Sequence, residues 1–282
     1  MEHNRRILIF CQAFVAIVLA LSLVLVMVMR LDHPVFIENY KDLRVFPTNG
    51  YYSADYLSLN YLANSTDERN VISVSFKGAG DLEVLSYENS WPDNGQRVGR
   101  YTLRTVQLVV NGHTDVSKGH IRTLEDAEIL FSDGTSMEVN LGRISIYAGS
   151  TDDKLIRMRM SSSSDGYSDM EYQAMEDITI NSLESDSYDI LTEVFDVRVN
   201  DLPLDRIAGT RILQGQRITV SARIRQEEFN YKSMSSFQLT PSLVFSDNDG
   251  NQQVEKLDPI SKDVWNLDIW NAMIYLKARG EL

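Results

Sequence analysis

The chain has 282 residues, with 27 Lys and Arg against 40 Asp and Glu, a net charge of −13 and one cysteine. Because an acidic surface repels phosphate, this composition argues against nucleic-acid binding. Apart from Cys11 there is no thiol, which excludes intrachain disulfides, a cysteine-based zinc site and a thiol nucleophile in the rest of the chain.

The first predicted element is a membrane-spanning helix. Ile7 to Met29 is a run of 23 uncharged residues between Arg6 and Arg30. A helix of that length extends roughly 35 Å, and the hydrocarbon core of a bilayer is about 30 Å thick. A cleavable signal peptide has only about 7–15 apolar residues followed by small ones. A lipoprotein signal needs a small residue before its cysteine, but Phe10 precedes Cys11. We therefore expect a retained, single-pass helix.

This helix predicts where the rest of the chain lies. Residues 1–6 form a short tail before it, and a body of about 250 residues follows it. Long trailing domains cross a membrane largely regardless of their charge. We expect the tail in the cytoplasm, the helix at 7–29 in the cell membrane and the C-terminal body outside the cytoplasm. The absence of disulfides from so large an exported body favours a bacterial surface.

One face of the predicted helix carries small and polar residues. Gln12, Ala16 and Ala20 recur at every fourth position, so they lie above one another. Small residues allow two helices to approach closely, and an amide can hydrogen-bond across the contact. We expect this face to contact a helix of another protein. The alternative is that these alanines are ordinary membrane-helix residues without a partner.

The body beyond a connector at 30–50 is predicted to be mainly β, an antiparallel β-sandwich. Alternating apolar and polar residues predict strands, and short strands at such spacing favour a sandwich. The strand-like segments are "VISVSFKG", "LRTVQLVV", "DITINSL", "DVRVNDL" and "RITVSARIR". Asn111-Gly112, Asp133-Gly134 and Asp249-Gly250 predict hairpin turns. A helix is suggested only at Ser185–Phe195 and in "TLEDAEIL".

A repeated pattern suggests two domains. Phe131-Ser132-Asp133 and Phe245-Ser246-Asp247 both end an apolar strand just before a glycine-containing turn. The acidic stretch Asn181–Asp189 lies between them. We predict two tandem sandwiches, at 51–186 and 187–282; the alternative is one elongated sandwich.

The motifs of several enzyme classes are missing from the sequence. It contains no G-x-S-x-G, S-x-x-K, H-E-x-x-H or phosphate-binding loop. His113, Asp115 and His120 have the side chains of a zinc site, but no fourth ligand is nearby. A solvated loop is the preferred interpretation.

A calcium site is the second metal hypothesis. Asp247, Asp249 and Asn251 occupy positions 1, 3 and 5 of a calcium-binding loop. Gln252 stands at position 6, where the loop requires glycine. A simple hairpin turn is therefore the preferred interpretation.

Trp91 is the aromatic residue most suited to a binding role. It lies between turn residues in "SWPDNGQ", which favours an exposed position. An exposed tryptophan can contact a partner protein or stack on a sugar. Packing in a sandwich core is the alternative.

The sequence thus predicts a non-catalytic, membrane-anchored accessory or scaffold subunit of a cell-envelope complex of the transport or secretion type. Its expected partners are other envelope or membrane proteins. The alternatives are a surface-tethered ligand- or carbohydrate-binding module and an envelope hydrolase that uses carboxylates alone. No cofactor is expected.

Overall fold

The computed structural model of the protein describes residues 2–45, 51–53, 56–88, 95–113, 120–148, 154–163, 166–225, 231–264 and 267–282. Its helices are α1 (Glu2–Val28), α2 (Tyr188–Val194) and α3 (Ile269–Ala278), with 3-10 turns at Leu204–Arg206 and Tyr231–Met234. The strands are β1 (Val35–Phe36), β2 (Asn39–Val45), β3 (Tyr51–Ser53), β4 (Leu57–Asn64), β5 (Val71–Phe76), β6 (Glu83–Glu88), β7 (Gln96–Val98), β8 (Tyr101–His113), β9 (His120–Phe131), β10 (Ser136–Ala148), β11 (Leu155–Ser163), β12 (Tyr167–Ala174), β13 (Ile178–Glu184), β14 (Phe195–Val199), β15 (Leu202–Pro203), β16 (Thr210–Ile212), β17 (Arg217–Ile224), β18 (Ser236–Leu239), β19 (Ser242–Ser246), β20 (Gln252–Lys256) and β21 (Ile260–Lys262).

The predicted membrane-spanning helix requires correction. Over the part of the chain that the structure describes, no helix is both long and apolar enough to cross a membrane. A bilayer core is about 30 Å thick. The anchor at Ile7 to Met29 and the single-pass location in the cell membrane are therefore not supported.

The strands form four sheets, which confirms a mainly β fold. Sheet I has the order β1-β4-β8-β3, with β6 and β7 also paired to β8. Sheet II has the order β21-β18-β2-β10-β9-β5. Sheet III is β11-β12-β17-β14-β15, and sheet IV is β16-β13-β19-β20. Most pairs are antiparallel, as predicted, but β2 runs parallel to both of its neighbours, β10 and β18.

The hydrophobic residues gather in three cores. The first core lies between sheets I and II and includes Leu43, Val106 and Phe131. The second core joins sheets III and IV to part of sheet II and includes Tyr40 and Phe195. The third core packs the chain just after α1 against α3 and sheet I; it includes Leu31, Tyr101 and Tyr275. The predicted domain division between 186 and 187 stays a prediction, and β13 before it and β14 after it both contribute to the second core.

Strand β2 belongs to two cores at once. Successive side chains of a strand point to opposite faces of its sheet. Leu43 and Val45 pack in the first core, whereas Tyr40 packs in the second. The polar residues follow the same alternation: the Lys41 ammonium donates to the Ser58 carbonyl at 3.3 Å, and Asp42 accepts from the Thr240 amide at 2.6 Å. Residues 30–50, which the sequence marks as a connector, thus contain β1 and this central strand.

Most of the local predictions are confirmed. The five strand-like segments form β5, β8, β13, β14 and β17. In β17, Ile218, Val220 and Ala222 are buried as the alternation predicts. Helix α2 forms within Ser185–Phe195. The turn at Asp133-Gly134 connects β9 to β10, and both of these strands pair as a hairpin. The turn at Asp249-Gly250 likewise connects β19 to β20.

Two local predictions are wrong. "TLEDAEIL" is not helical, because it lies in β9, between β10 on one side and β5 on the other. Asn111-Gly112 is not a turn, because β8 continues through both residues and pairs with β3 there. In each segment, pairing with strands distant in the sequence outweighs the local preference.

Candidate partner-binding site

Helix α1 presents a large apolar surface to solvent. Phe10, Phe14, Ile17 and Met27 are 75%, 61%, 58% and 76% exposed. Contiguous apolar patches of more than a few hundred Å² are uncommon on monomeric proteins and mark interaction sites. We expect an exposed apolar helix of this composition to be covered by another protein. Helix α1 is therefore the leading candidate for a partner-binding element.

The face predicted to contact another helix is accessible. Gln12, Ala16 and Ala20 are all exposed on α1. The two alanines leave a shallow strip along which a second helix could approach closely, and the Gln12 amide lies at one end of that strip. Their role in binding stays a prediction.

The root of α1, defined here as Met29 to Leu31, is fixed to the body by three hydrogen bonds. The Leu31 amide donates to Oδ1 of Asn64 at 3.1 Å, and Nδ2 of Asn64 donates to the Leu31 carbonyl at 2.7 Å. The Tyr101 hydroxyl donates to the Met29 carbonyl at 2.7 Å. Burial raises the pKa of that hydroxyl, and Leu31 itself is buried in the third core. Because the root has a defined geometry, α1 leaves the body in a set direction.

Helix α3 supports the root from the other side of the third core. Its N-cap is Asp268, whose carboxylate accepts from the Asn271 amide at 2.8 Å. Its inner face buries Tyr275 and Leu276 in the third core. Its outer face exposes Trp270, at 70%. Among the residues that the structure describes, the exposed tryptophan is therefore Trp270 on α3.

A buried polar network ties α3 to β2. The Glu38 amide donates to the Tyr275 hydroxyl at 3.0 Å, and the Tyr40 hydroxyl donates to Oε2 of Glu38 at 3.0 Å. Arg279 forms an ion pair with the other carboxylate oxygen of Glu38. Burial, followed by the nearby Glu38 charge, raises the pKa of Tyr40. Because this network joins the C-terminal half of α3 to Glu38, it holds α3 in place within the third core.

The loop of the calcium hypothesis forms a hairpin turn closed by Asp247, and metal binding there stays untested. Oδ1 of Asp247 accepts from the amides of Asp249 and Asn251 at 3.0 and 2.8 Å, and Oδ2 accepts from the side chains of Asn251 and Gln253 at 3.3 Å each. These donors, the Asn251 amide first, lower the pKa of the carboxyl group. The carboxylate closes a hairpin turn, as the preferred interpretation had it. No group of three or more His, Cys, Asp or Glu suited to a metal occurs among the residues that the structure describes.

Two other sequence candidates lie outside the described residues. Asp115 and Trp91 are both undescribed, and only the backbones of His113 and His120 are placed, in β8 and β9. The zinc hypothesis and the binding role of Trp91 therefore stay predictions.

A polar groove of about 280 Å³ lies on sheet III. It is lined by Asp196, Arg198, Asp201, Ser221 and Arg223. Asp196 already pairs with Arg198 at 3.1 Å. The Arg223 guanidinium lies 5.3 Å from the centroid of the Tyr167 ring, within the limit of about 6 Å for a cation–π contact. These internal pairings mark an ordinary solvated sheet face.

Sequence reasoning missed the residues that build the root and those that hold α3 in the third core. Asn64, Tyr101 and Arg279 contact partners 33, 72 and 241 positions away in the chain. Each is an unremarkable polar residue in its own segment. Only the strand pairing that brings β4, β8 and α3 together creates the arrangement, so no local signal could have revealed it.

Comparison with known proteins adds little to this geometry. No protein-family model and no curated protein matches the chain. A protein of unknown function from Porphyromonas gingivalis W83 aligns at 13% identity over 79% of this chain and 97% of its own, with a TM-score of 0.25. The D00-D0 domain of intimin aligns at 8% identity over 82% and 100%, with a TM-score of 0.21. The collagen adhesin of S. aureus aligns at 9% identity over 81% and 92%, with a TM-score of 0.19. Such low TM-scores support no functional argument.

Proposed function

We propose that the chain is a non-catalytic accessory or scaffold subunit that joins a larger complex through α1. The observation that carries this proposal is the exposed apolar surface beside the strip on α1, where Leu19, Val24 and Met27 are 59%, 56% and 76% exposed. Burying such side chains gains about 25 cal/mol for each Å² of apolar surface removed from water. A partner helix that covers α1 supplies this gain.

The rigid root supports a scaffold role. Leu31 is held by both polar atoms of the Asn64 side chain, and Met29 by Tyr101. A partner bound to α1 is thereby held at a defined position relative to the β-sheet body. Two sandwiches in tandem would then serve as the rigid part that α1 joins to the complex.

The placement of the perturbed ionisable groups favours a non-catalytic body. Asp42, Lys41 and Tyr275 have pKa values displaced mainly by burial. Catalytic groups of this kind usually face a cleft that admits substrate. Here each of the three is buried and hydrogen-bonded to the backbone of another element.

A co-purification experiment tests the proposal. Full-length protein is purified from its native cells under mild conditions as wild type, as the double variant Ala16→Leu with Ala20→Leu, and as the control Val18→Leu. Positions 16 and 20 share the strip, whereas Val18 lies on the opposite side of α1. We expect a stoichiometric partner with wild type and the control and a loss of at least several-fold with the double variant. Recovery of the wild-type chain alone would contradict the proposal.

The exposure of Trp270 favours a second candidate function, a carbohydrate-binding module. A solvent-facing indole can stack on a sugar ring. Binding of the full chain to a glycan array, lost in Trp270→Ala and kept in Ile274→Ala, would support this function. If the chain binds no glycan on the array, the carbohydrate-binding function is contradicted.

A further inference from the structure

Strand β11 forms an open edge of sheet III. It runs from Leu155 to Ser163, and it is the longest of the edge strands in the four described sheets. Within the described chain it pairs with β12 alone, and residues 156–160 are all exposed. The backbone N–H and C=O groups on the outer side of an edge strand match the spacing of another extended chain. The occupant that fits this edge is therefore an extended polypeptide segment.

The exposed edge carries apolar side chains at alternate positions. Ile156, Met158 and Met160 are 44%, 52% and 38% exposed. Met175, whose amide donates to the Lys154 carbonyl at 3.2 Å, is 47% exposed at the start of the strand. Methionine side chains adapt to the shape of what they contact, which suits them to binding surfaces. An incoming strand with apolar residues at matching positions gains burial against this row.

Arginines occupy the positions between these apolar residues. The Arg157 guanidinium pairs with Asp258 at 2.8 Å, yet its side chain remains 61% exposed. Arg159 pairs with no acidic group among the described residues, since Glu171, opposite it on β12, is already bound by Arg217 at 2.6 Å. The strand itself contains no acidic residue. Arg159 is therefore available to an acidic side chain of an incoming strand.

The same alternation selects against a second copy of the chain. The register that pairs Ile156 with Met160 across two β11 strands also places Arg157 opposite Arg159. Like charges directly opposite each other destabilise a strand pair. The pairing of β11 with β12 shifts between Arg157 and Arg159, and such bulges also protect edge strands from pairing with identical ones. These devices exclude copies of β11 but accept an acidic strand.

We infer that β11 is a binding site for an extended segment of a different protein, in which apolar residues alternate with acidic ones. The segment adds to sheet III as a further strand. Its apolar side chains cover Ile156, Met158 and Met160, and an acidic side chain faces Arg159. This site is separate from α1 and does not depend on the function proposed for α1.

Fluorescent peptides test the inference with the full chain. The first peptide alternates Val and Glu, the second alternates Val and Lys, and the third has the sequence of residues 155–163. A fourth is the Val-Glu peptide with methylated backbone nitrogens, which cannot donate to a strand ladder. We expect the Val-Glu peptide to bind about fivefold or more tightly than each of the others. Its advantage over the Val-Lys peptide should shrink as salt rises.

Two variants localise the binding to β11. Arg159→Glu should lose the preference for the Val-Glu peptide. Arg206→Glu is the matched control, because Arg206 follows β15 at the opposite edge of sheet III, and it should keep the preference. Hydrogen exchange in β11 should slow when the Val-Glu peptide binds.

Four outcomes would overturn the inference. They are equal binding of the Val-Glu and Val-Lys peptides, undiminished binding of the methylated peptide, tightest binding of the peptide of residues 155–163, and failure of every peptide to bind. None of them bears on α1, so the proposed function is tested separately.

Discussion

Asp42 is a buried acidic residue of the β-sheet body. Its side chain is 2% exposed on the central strand β2. One carboxylate oxygen accepts from the Thr240 amide, and the other has no hydrogen-bond partner. Burial is the main cause that raises its pKa to about 6, although the hydrogen bond from the Thr240 amide and then the charges of Lys256 and Arg143 act in the opposite direction. Below about pH 6 the folded protein therefore holds this carboxyl group in its protonated form.

This preference predicts a pH dependence of stability. In the unfolded chain the carboxyl group has a pKa near 3.8, so between about pH 4 and pH 6 only the folded state keeps its proton. The free energy of unfolding should then fall as pH rises through this window, by up to about 3 kcal/mol. Asp42→Asn keeps the acceptor for Thr240 and should remove this fall, as urea titrations at pH 4 to 7 can measure. Asp249→Asn, in an exposed turn, is the matched control and should behave as wild type. An unchanged pH profile in Asp42→Asn would contradict the assignment.

At the level of elements, the sequence predicts a strand and its buried face correctly where apolar and polar residues alternate without interruption. β17 is such a strand, with Ile218, Val220 and Ala222 on its inner face. In β5 the alternation of "VISVSFKG" predicts one apolar face with Ile72, Val74 and Phe76. A bulge after Val71 turns Ile72 outward, where it is 53% exposed. A single inserted residue shifts the side-chain alternation, and the sequence does not mark it.

The strand β2 illustrates what the sequence could not predict. Its residues "NYKDLRV" include Lys41, Asp42 and Arg44, which resemble an exposed connector. They are tolerated in a central strand because their partners, Ser58 and Thr240 among them, come from distant segments. The candidate site is likewise only partly predictable from the sequence. The apolar surface of α1 could be predicted from the sequence, whereas its rigid root could not.

The N-cap of α3 yields a prediction at this scale. Asp268 accepts the Asn271 amide at 2.8 Å and satisfies a backbone donor that has no partner within the helix. Asp268→Ala should lower the free energy of unfolding by about 0.5–2 kcal/mol. Asp268→Asn retains a hydrogen-bond acceptor and should lower the free energy of unfolding clearly less. Chemical denaturation of the two variants measures this difference. Equal losses would mean that the cap does not stabilise α3.

At the scale of the whole molecule, β2 couples the first and second cores. It pairs with β10 of the first core and with β18 of the second, and its side chains enter both. Local unfolding of either core should therefore release a strand that the other requires. We expect the body to unfold as one cooperative unit.

This coupling can be tested with Leu43→Ala, which truncates a side chain of the first core only. The substitution should lower the free energy of unfolding by about 2–5 kcal/mol. Hydrogen exchange in mild denaturant should show amides in β9 and in β17 losing protection together, although β17 belongs to the second core. Leu213→Ala, at a position 44% exposed, is the control and should leave both strands protected. Faster exchange confined to β9 would show that the cores unfold separately.

The central claim is that α1 binds a partner along one face. Its most direct test is site-specific photo-crosslinking in native cells, with a photoreactive amino acid placed singly at positions 12, 16, 20, 14 and 18. The account predicts one adduct of constant mass from positions 12, 16 and 20, formed with a different protein, and little or none from positions 14 and 18 on the opposite face. Equal adducts from all five positions, adducts only between copies of this chain, or no adduct at all would contradict it.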